Sequence, residues 1–329
     1  MNKGKLSLKW LILSFLLLVS AVYSPPVTAY VDSVKQGTAE PVIQPLFEEE
    51  HIKDVIEKGA RARYEPPVDA RVDPIWKAIP GYNGRKVDQE ATYRRALRKQ
   101  GGEIPWVYRE VPPRVTLDQL GAQPIYRGNE QKPMAALMVN VAWGTEHLPG
   151  MLNILEQEGV PATFFLDGSW VKKHPEEAKM LLEKGYEVGN HAYSHPLMSQ
   201  ISRDRMQREL QKTEELIREL GGRSRFFAPP AGDFNQSVVK EAYRMGMKTV
   251  LWTVDTVDWR PSSSPQWMTE RVRTNIDKGS LLLMHPTPRT VQALPQIIRT
   301  IEQKGLRLGT VGEVLSSKRI DPVEPFHTF

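Results

Sequence analysis

From Pro133 onward, short strand-like runs alternate with helix-like segments, and this alternation constrains the fold more than any other feature of the chain. Seven apolar runs have the length and residue types of buried strands. They lie at residues 134–141, 162–167, 186–190, 225–228, 248–254, 280–284 and 306–310. Strands separated by helices run parallel, because each helix carries the chain back to the edge where the strand began. The sequence therefore predicts an α/β fold with a parallel, barrel-like sheet.

The segments between the runs carry helical periodicity. Two sets of apolar residues have the i, i+3, i+4, i+7 spacing of a buried helix face: Leu148, Met151, Leu152 and Leu155, and Leu294, Ile297, Ile298 and Ile301. Ser202 is a predicted N-cap, and the helix after it places five apolar residues toward a core: Met206, Leu210, Leu216, Ile217 and Leu220. Ser264 before Pro265 predicts another helix start, and Gly305 predicts the end of the last long helix.

Composition narrows the class of protein. The chain has 329 residues, 40% hydrophobic and 25% charged, which is ordinary for a globular protein. Its formal net charge is +5, and this falls to +2 without Lys3, Lys5 and Lys9. Because basic and acidic residues are interspersed, nothing indicates a nucleic-acid partner. The chain has no cysteine, so its core must stabilise it without disulfides.

Residues 1–29 have the features of an export signal. Lysines precede an apolar run from Trp10 to Val22, and Val27-Thr28-Ala29 resembles a small-residue cleavage site. The run is shorter than the ~20 residues of a usual membrane span. We expect an exported, extracytoplasmic protein, either secreted or anchored to the membrane by an uncleaved signal.

Residues 30–132 are rich in proline and charge and show little sustained periodicity. A short helix is predicted over 88–99. We interpret the segment as a linker wrapped on the main domain, with a small accessory module as the alternative. The predicted domain order is then the signal at 1–29, this segment at 30–132, the main domain at 133–315 and a tail at 316–329.

Two histidines four residues apart, His191 and His195, follow the predicted strand at 186–190. Neutral imidazoles at this spacing on a rigid turn can converge on one divalent cation. The alternative is a pair of unrelated polar loop residues. In parallel barrels the chemistry gathers at the carboxyl ends of the strands, and Asp258 and His285 are predicted to lie at the same end.

Five ordered motifs give the main domain a resemblance to a known family. They lie at residues 162–165, 190–196, 227–232, 251–259 and 281–285. With these motifs, residues 133 to about 315 resemble the NodB-homology domain of polysaccharide deacetylases, also called carbohydrate esterase family 4. The resemblance implies a distorted seven-stranded (β/α) barrel. It also implies metal-assisted hydrolysis of an acetyl group on a glycan, with peptidoglycan or a related N-acetylated polymer as the partner and an association with the cell wall.

The resemblance carries catalytic roles onto four residues. His191 and His195 match the two imidazole ligands of a divalent metal, Zn²⁺ or similar, which polarises the acetyl carbonyl and activates a water. His285 matches the general acid that protonates the leaving amine. Asp258 matches the carboxylate that orients this histidine.

Three more residues match the substrate groove. Trp259 and Leu283 correspond to its apolar walls. Ala231 stands where the family usually has Tyr, and the family uses the backbone N–H at this position to hold the oxyanion. A change of side chain at Ala231 therefore leaves that donor in place.

The first and third motifs depart from the family pattern. The family's Thr-Phe-Asp-Asp-Gly corresponds to residues 140–144, where Ala142 replaces the general base and Trp143 replaces the metal-ligand Asp. Ala228 stands where the family has the Arg that pairs with this base. A buried Arg facing Ala142 would be an unpaired charge costing ~3–5 kcal/mol. Loss of the Arg together with the base carboxylate avoids this penalty. We interpret this as a remodelled site in which metal binding is weak or lost.

Two carboxylates are candidates to complete a metal site or to serve as base through a water. Glu146 follows Trp143 on the loop into the next helix, and Asp233 follows Gly232 on another loop. The alternative for Glu146 is an acid favoured by the dipole of the helix N-terminus, and for Asp233 an ordinary turn residue.

Two functions of different classes remain open. The first is an exported deacetylase that hydrolyses N-acetyl groups of cell-wall polysaccharide, with activity reduced or abolished by the remodelled first motif. The second is a catalytically inactive glycan-binding module in cell-wall or spore assembly, with Trp143, Trp252 and Trp259 as stacking surfaces. The variant first motif also resembles deacetylase-like proteins linked to sporulation.

Overall fold

The computed structural model describes residue 20 and residues 24–35, 44–99 and 103–320. Most of the predicted export signal at 1–29 and most of the predicted tail at 316–329 lie outside the described residues. The described end of the signal belongs to a helix, α1 (Pro25–Lys35). Among the described helices, none combines the length and the apolarity needed to cross a membrane.

The chain divides into two compact units. The first contains α1, α2 (Gln44–Ala62) and α3 (Gln89–Arg98). The predicted helix at 88–99 is confirmed as α3, and the Asp88 carboxylate caps it by accepting from the Ala91 N–H at 3.0 Å. Within this unit the Tyr93 hydroxyl on α3 donates to Glu49 on α2 at 3.1 Å. Residues 63–87 and 107–132 belong to the second unit, together with the barrel. The domain boundary at Pro133 stays a prediction.

The second unit contains twelve strands and eight α-helices among its described residues. The strands are β1 (Arg71–Asp73), β2 (Lys77–Ile79), β3 (Gly84–Val87), β4 (Tyr108–Val111), β5 (Met134–Val141), β6 (Thr163–Leu166), β7 (Glu187–Asn190), β8 (Phe226–Phe227), β9 (Lys248–Thr249), β10 (Val254–Asp255), β11 (Ser280–Met284) and β12 (Arg307–Gly309). The helices are α4 (Leu148–Gln157), α5 (Gly168–Lys173), α6 (Pro175–Glu183), α7 (Arg203–Glu219), α8 (Gln236–Arg244), α9 (Pro265–Asn275), α10 (Pro288–Gln303) and α11 (Val311–Leu315).

The main sheet is parallel throughout and curls into part of a barrel. Its strand order is β10-β11-β5-β6-β7-β8-β9, and β12 also pairs with β5. The predicted α/β barrel-like fold with seven parallel strands is confirmed. All eight residues of the central strand β5 are buried. Successive β5 side chains alternate between a core shared with the helices and a core inside the curl, as the two-residue period of a strand requires.

One predicted strand is divided in the structure. The run at 248–254 forms β9 and β10, because the residues between them pair with the segment before the barrel. The Leu251 N–H donates to the Ile125 carbonyl at 2.7 Å, and the Thr253 hydroxyl donates to the Tyr126 carbonyl at 2.8 Å. Pattern within the run could not show this, because the pairing partner lies more than 120 residues away.

The predicted helix ends are confirmed. The Ser202 hydroxyl accepts from the Arg205 N–H at 3.4 Å, and the Ser264 hydroxyl accepts from the Trp267 N–H at 3.1 Å. Gly305 has φ +71°, the left-handed conformation that ends many helices. The apolar faces of α4 and α10 are buried in the same core as β5. The loops at the carboxyl ends of the strands form the opening of the barrel at that end, which we call the mouth.

Candidate functional site

The loop that follows β7 carries the two histidines. His191 is 1% exposed, and its Nδ1 donates to the Ala228 carbonyl at 2.7 Å. A carbonyl only accepts, so the proton sits on Nδ1 and the Nε2 lone pair is left available. The His195 ring lies 5.2 Å from the His191 ring, centroid to centroid, at 69°. The structure therefore brings the predicted imidazole pair together.

Helix α7 holds this loop in place through Glu209. The buried Glu209 carboxylate accepts from the N–H groups of Tyr193 and Ser194 at 3.0 and 2.8 Å and from the Ser194 hydroxyl at 2.7 Å. These bonds hold backbone that is otherwise strained, because Ala192 and His195 have φ of 60° and 55°. Strained backbone held by a buried carboxylate is a feature of a preorganised site.

The second pair, His285 and Asp258, lies at the carboxyl ends of two adjacent strands, β11 and β10. Asp258 is fully buried and accepts from His285 Nδ1 at 2.8 Å and from the His285 N–H at 2.6 Å. The Thr290 hydroxyl donates a third bond to it at 2.6 Å. The carboxylate therefore fixes the imidazole in one orientation and leaves Nε2 available.

Trp143 lies over His285. The two rings are nearly parallel, 8° apart, with centroids separated by 5.8 Å, and 45% of the Trp143 surface is exposed. Gly144 makes this approach possible, because its φ is +77° and a β-carbon there would lie 2.1 Å from the Pro286 carbonyl oxygen. The turn after β5 therefore packs directly on the turn after β11.

The donor set does not fit a three-ligand metal site. Within the described part of the chain, no group of three or more His, Cys, Asp or Glu residues is arranged to hold a metal ion. Asp233 accepts from the Ser199 N–H and hydroxyl at 2.7 and 2.8 Å, and the exposed Glu146 lies 3.5 Å from His147. The structure joins neither carboxylate to His191 and His195, and catalytic zinc normally has three protein ligands.

The groove residues lie at the same mouth. Trp259 is 48% exposed, whereas Leu283 is buried in β11. Ala231 has φ 54°, a left-handed conformation that is uncommon for a residue with a side chain. Trp252 is partly buried against the core inside the barrel, which leaves it less of the exposed face that stacking requires.

Sequence reasoning missed two carboxylates at this end of the barrel. Asp167 follows β6 and is 1% exposed; burial raises its pKa, and its Oδ2 has no hydrogen-bond partner within the described chain. Asp255 ends β10, and burial raises its pKa although its carboxylate accepts from the Val257 N–H at 2.7 Å. The signal for both was their place at a strand's carboxyl end, as for His191.

The buried imidazole makes stability depend on pH. Burial, more than the nearby His195, lowers the pKa of His191 from 6.5 to about 3. Below pH 6.5 the His191 imidazole takes up a proton in the unfolded chain but stays neutral in the folded chain. The free energy of unfolding therefore falls as the pH drops from 6.5 toward 3. At pH 5 this amounts to about 2 kcal/mol.

Urea unfolding of metal-free protein at pH 7 and pH 5 measures the loss of unfolding free energy that His191 causes. His191→Asn keeps an N–H for the Ala228 carbonyl and has no proton to gain. We expect wild type to lose about 2 kcal/mol more than this variant between the two pH values. Equal losses in both proteins would show that His191 does not titrate in this way.

Comparison with known proteins agrees with the curled parallel sheet. The family model described as Polysaccharide deacetylase matches residues 127–250. A Bacillus cereus peptidoglycan-N-acetylglucosamine deacetylase is 34% identical over 200 residues, 59% of this chain and 72% of the relative. This chain therefore belongs to the polysaccharide deacetylase family, carbohydrate esterase family 4.

Two further relatives are similar over most of the chain. The protein YlxY of Bacillus subtilis, described as uncharacterized, is 41% identical over 303 residues, 90% of this chain and 92% of its own. The crystal structure of BA3943 of Bacillus anthracis, described as a CE4 family pseudoenzyme, matches with a TM-score of 0.76 and 43% identity over 82% of this chain and 96% of its own. A mutant of BA3943 is described as having restored enzymatic activity.

Proposed function

We propose that this chain is an exported cell-wall protein that binds N-acetylated glycan, such as peptidoglycan, at the barrel mouth and has lost most or all of the usual acetyl hydrolysis. The observation that supports this best is Trp143, whose ring lies parallel over His285. By the resemblance of the first motif, Trp143 stands where the family has a metal-ligand carboxylate. An indole neither binds a cation as a carboxylate does nor accepts a proton from water. The similarity to a protein described as a pseudoenzyme agrees with this proposal.

The mouth keeps an aromatic surface suited to sugar. Trp143 follows β5 and Trp259 follows β10. Strand β11, which is followed directly by His285, lies between these two strands. The two indoles therefore follow the strands on either side of the one that precedes His285, where adjacent strands are about 4.8 Å apart. Both are about half exposed. Large aromatic faces with a polar edge contact amphipathic ligands at low entropic cost, and a pyranose ring is such a ligand.

In this proposal the His285–Asp258 pair has a new role. The bonds from His285 to the buried Asp258 hold the imidazole rigid, and the imidazole in turn supports the Trp143 indole. His285 is then a positioning residue for glycan binding.

Replacing Trp143 with Ala is expected to weaken binding of chitotetraose about 10-fold, because one of two stacking faces is lost. Titration calorimetry measures the dissociation constant. Tyr243→Ala is the matched control, because Tyr243 is similarly exposed, at 41%, but lies in the last turn of α8, which leads into the start of β9 at the opposite end of the barrel. Equal weakening by the two changes, or by neither, would contradict the proposed surface.

The positioning role predicts a difference between two substitutions of His285. His285→Ala removes the ring beneath Trp143 and is expected to weaken chitotetraose binding about 5-fold. His285→Phe restores a ring of similar shape and is expected to remain within about 2-fold of wild type. Thermal unfolding of both variants checks that the fold survives. If binding is unchanged in His285→Ala, the imidazole does not position the indole.

The alternative is residual deacetylation, and two observations favour it. His285 and Asp258 keep a bond suited to a general acid, and His191 keeps a free Nε2. A hydrolase would still need a base and a third metal ligand. Export, the cell-wall association and the link to sporulation are parts of the proposal that depend on the sequence alone.

A further inference from the structure

A cavity of about 560 Å³ lies at the end of the barrel opposite the histidines. The chain enters β8 and β9 at this end, so Phe226 and Lys248 at the starts of these strands line it. Its volume is within the range of small-molecule sites. We call it the amino-end cleft.

Part of the wall comes from outside the family barrel. Pro80, Gly81 and residues 116–118 line the cleft, and all of them precede residues 127–250, which match the family model. The remaining wall comes from Arg223, Arg225, Phe226, Gly246, Lys248, Gly312, Leu315, Ser316 and Ser317. The cleft is therefore formed jointly by the barrel and by the segment that precedes it, at the end of the barrel away from the histidines.

Three cationic side chains line the cleft. Arg225 Nη2 bonds to Glu187 at 2.7 Å, yet 67% of its side chain is exposed. Lys248 Nζ bonds to Asp118 at 2.5 Å. Arg223 is exposed and has no hydrogen-bond or ion-pair partner within the described ranges. After the two ion pairs, one full positive charge and several N–H donors remain uncompensated.

Apolar side chains complete the cleft. Phe226 and Leu315 are buried, and Leu117 is partly buried. The Arg225 guanidinium lies 5.5 Å from the centre of the Phe226 ring, which restrains it in the wall. A restrained guanidinium loses less entropy when it binds an anion.

We propose that the amino-end cleft binds a phosphate-bearing ligand. Guanidinium groups pair bidentately with phosphate oxygens, and a phosphomonoester offers three terminal acceptor oxygens, and a phosphodiester two, to the three cationic groups. In this proposal the phosphate bonds to Arg223 and to the N–H donors that the ion pairs leave free on Arg225 and Lys248, and the organic part of the ligand lies against the partly buried Leu117. The ligand is either a small phosphomonoester or one unit of a phosphodiester polymer. This site is independent of the glycan surface at the opposite end.

Titration calorimetry at low salt tests the proposal with glycerol 3-phosphate, an oligomer of glycerol phosphate, and glutarate as a dicarboxylate. We expect saturable binding of one or both phosphate compounds, and Arg223→Gln is expected to weaken it at least about 5-fold. Because Arg223 has no partner in the described chain, this variant should unfold at the wild-type temperature. Tighter binding of the monomer supports a small phosphomonoester, and tighter binding of the oligomer supports a polymer.

Arg208→Gln is the matched control, since Arg208 is also exposed and without a partner among the described residues, but lies on α7 outside the cleft. Equal weakening by Arg208→Gln would show diffuse attraction to surface charge and overturn the proposal. Glutarate binding as tight as the phosphates would overturn the phosphate assignment. Absence of saturable binding to both phosphate compounds up to about 20 mM would overturn the site.

Discussion

The triple variant Ala142→Asp, Trp143→Asp, Ala228→Arg is expected to release acetate from chitotetraose at least about 100-fold faster than wild type when zinc is supplied. The first change restores a general base, which contributes about 10²–10⁴-fold in enzymes. The second restores a third metal ligand beside His191 and His195 and removes the indole over His285. The third gives the new carboxylate at the partly buried position 142 a charged partner.

The matched control is the double variant without Ala228→Arg. Ala228 is fully buried, and its methyl side chain carries no counter-charge for a new carboxylate. We expect the double variant to be less active than the triple and less stable at pH 7, because a new carboxylate lacks its partner. A triple variant that binds zinc, is folded and releases no acetate would show that the mouth differs from an active deacetylase by more than these three residues.

Gly144→Ala is expected to lower the free energy of unfolding by about 3 kcal/mol. The residue's φ of +77° costs an Ala about 1–2 kcal/mol, and overlap adds a similar amount. The new β-carbon would lie 2.1 Å from the Pro286 carbonyl oxygen, so the Trp143 and His285 turns must separate. Urea unfolding measures the loss.

Gly159→Ala separates strain from overlap. Gly159 has φ +64°, yet a β-carbon there meets nothing within 4 Å. We expect a loss of only about 1 kcal/mol in this control. If both variants lose the same amount, the close approach of Gly144 to Pro286 is not what supports Trp143.

Local signals in the sequence predicted much of this fold. The spacing of Leu294, Ile297, Ile298 and Ile301 placed one face of α10, and Ser202 and Ser264 marked helix starts, because each depends on neighbours within a turn of helix. The gap between β9 and β10 could not be predicted this way. It depends on Ile125, which is distant in sequence and adjacent in space.

The candidate site also contains parts that the sequence predicted and parts that depend on contacts between segments distant in sequence. The approach of His191 to His195 was predicted from their four-residue spacing on a turn. The pairing of His285 with Asp258 was predicted from the resemblance to the family. The stacking of Trp143 on His285 depends on the approach of two turns through Gly144, which no motif encodes. Glu146 and Asp233 were candidates by sequence proximity alone, and Asp233 is already bonded to Ser199.

Acetate release by wild-type protein, measured together with bound zinc per chain and chitotetraose affinity, tests most directly whether this mouth holds glycan without activating water. We predict saturable chitotetraose binding, clearly less than one zinc ion per chain and acetate release at the buffer rate. One zinc ion per chain, with acetate release that His285→Ala abolishes, would contradict the account.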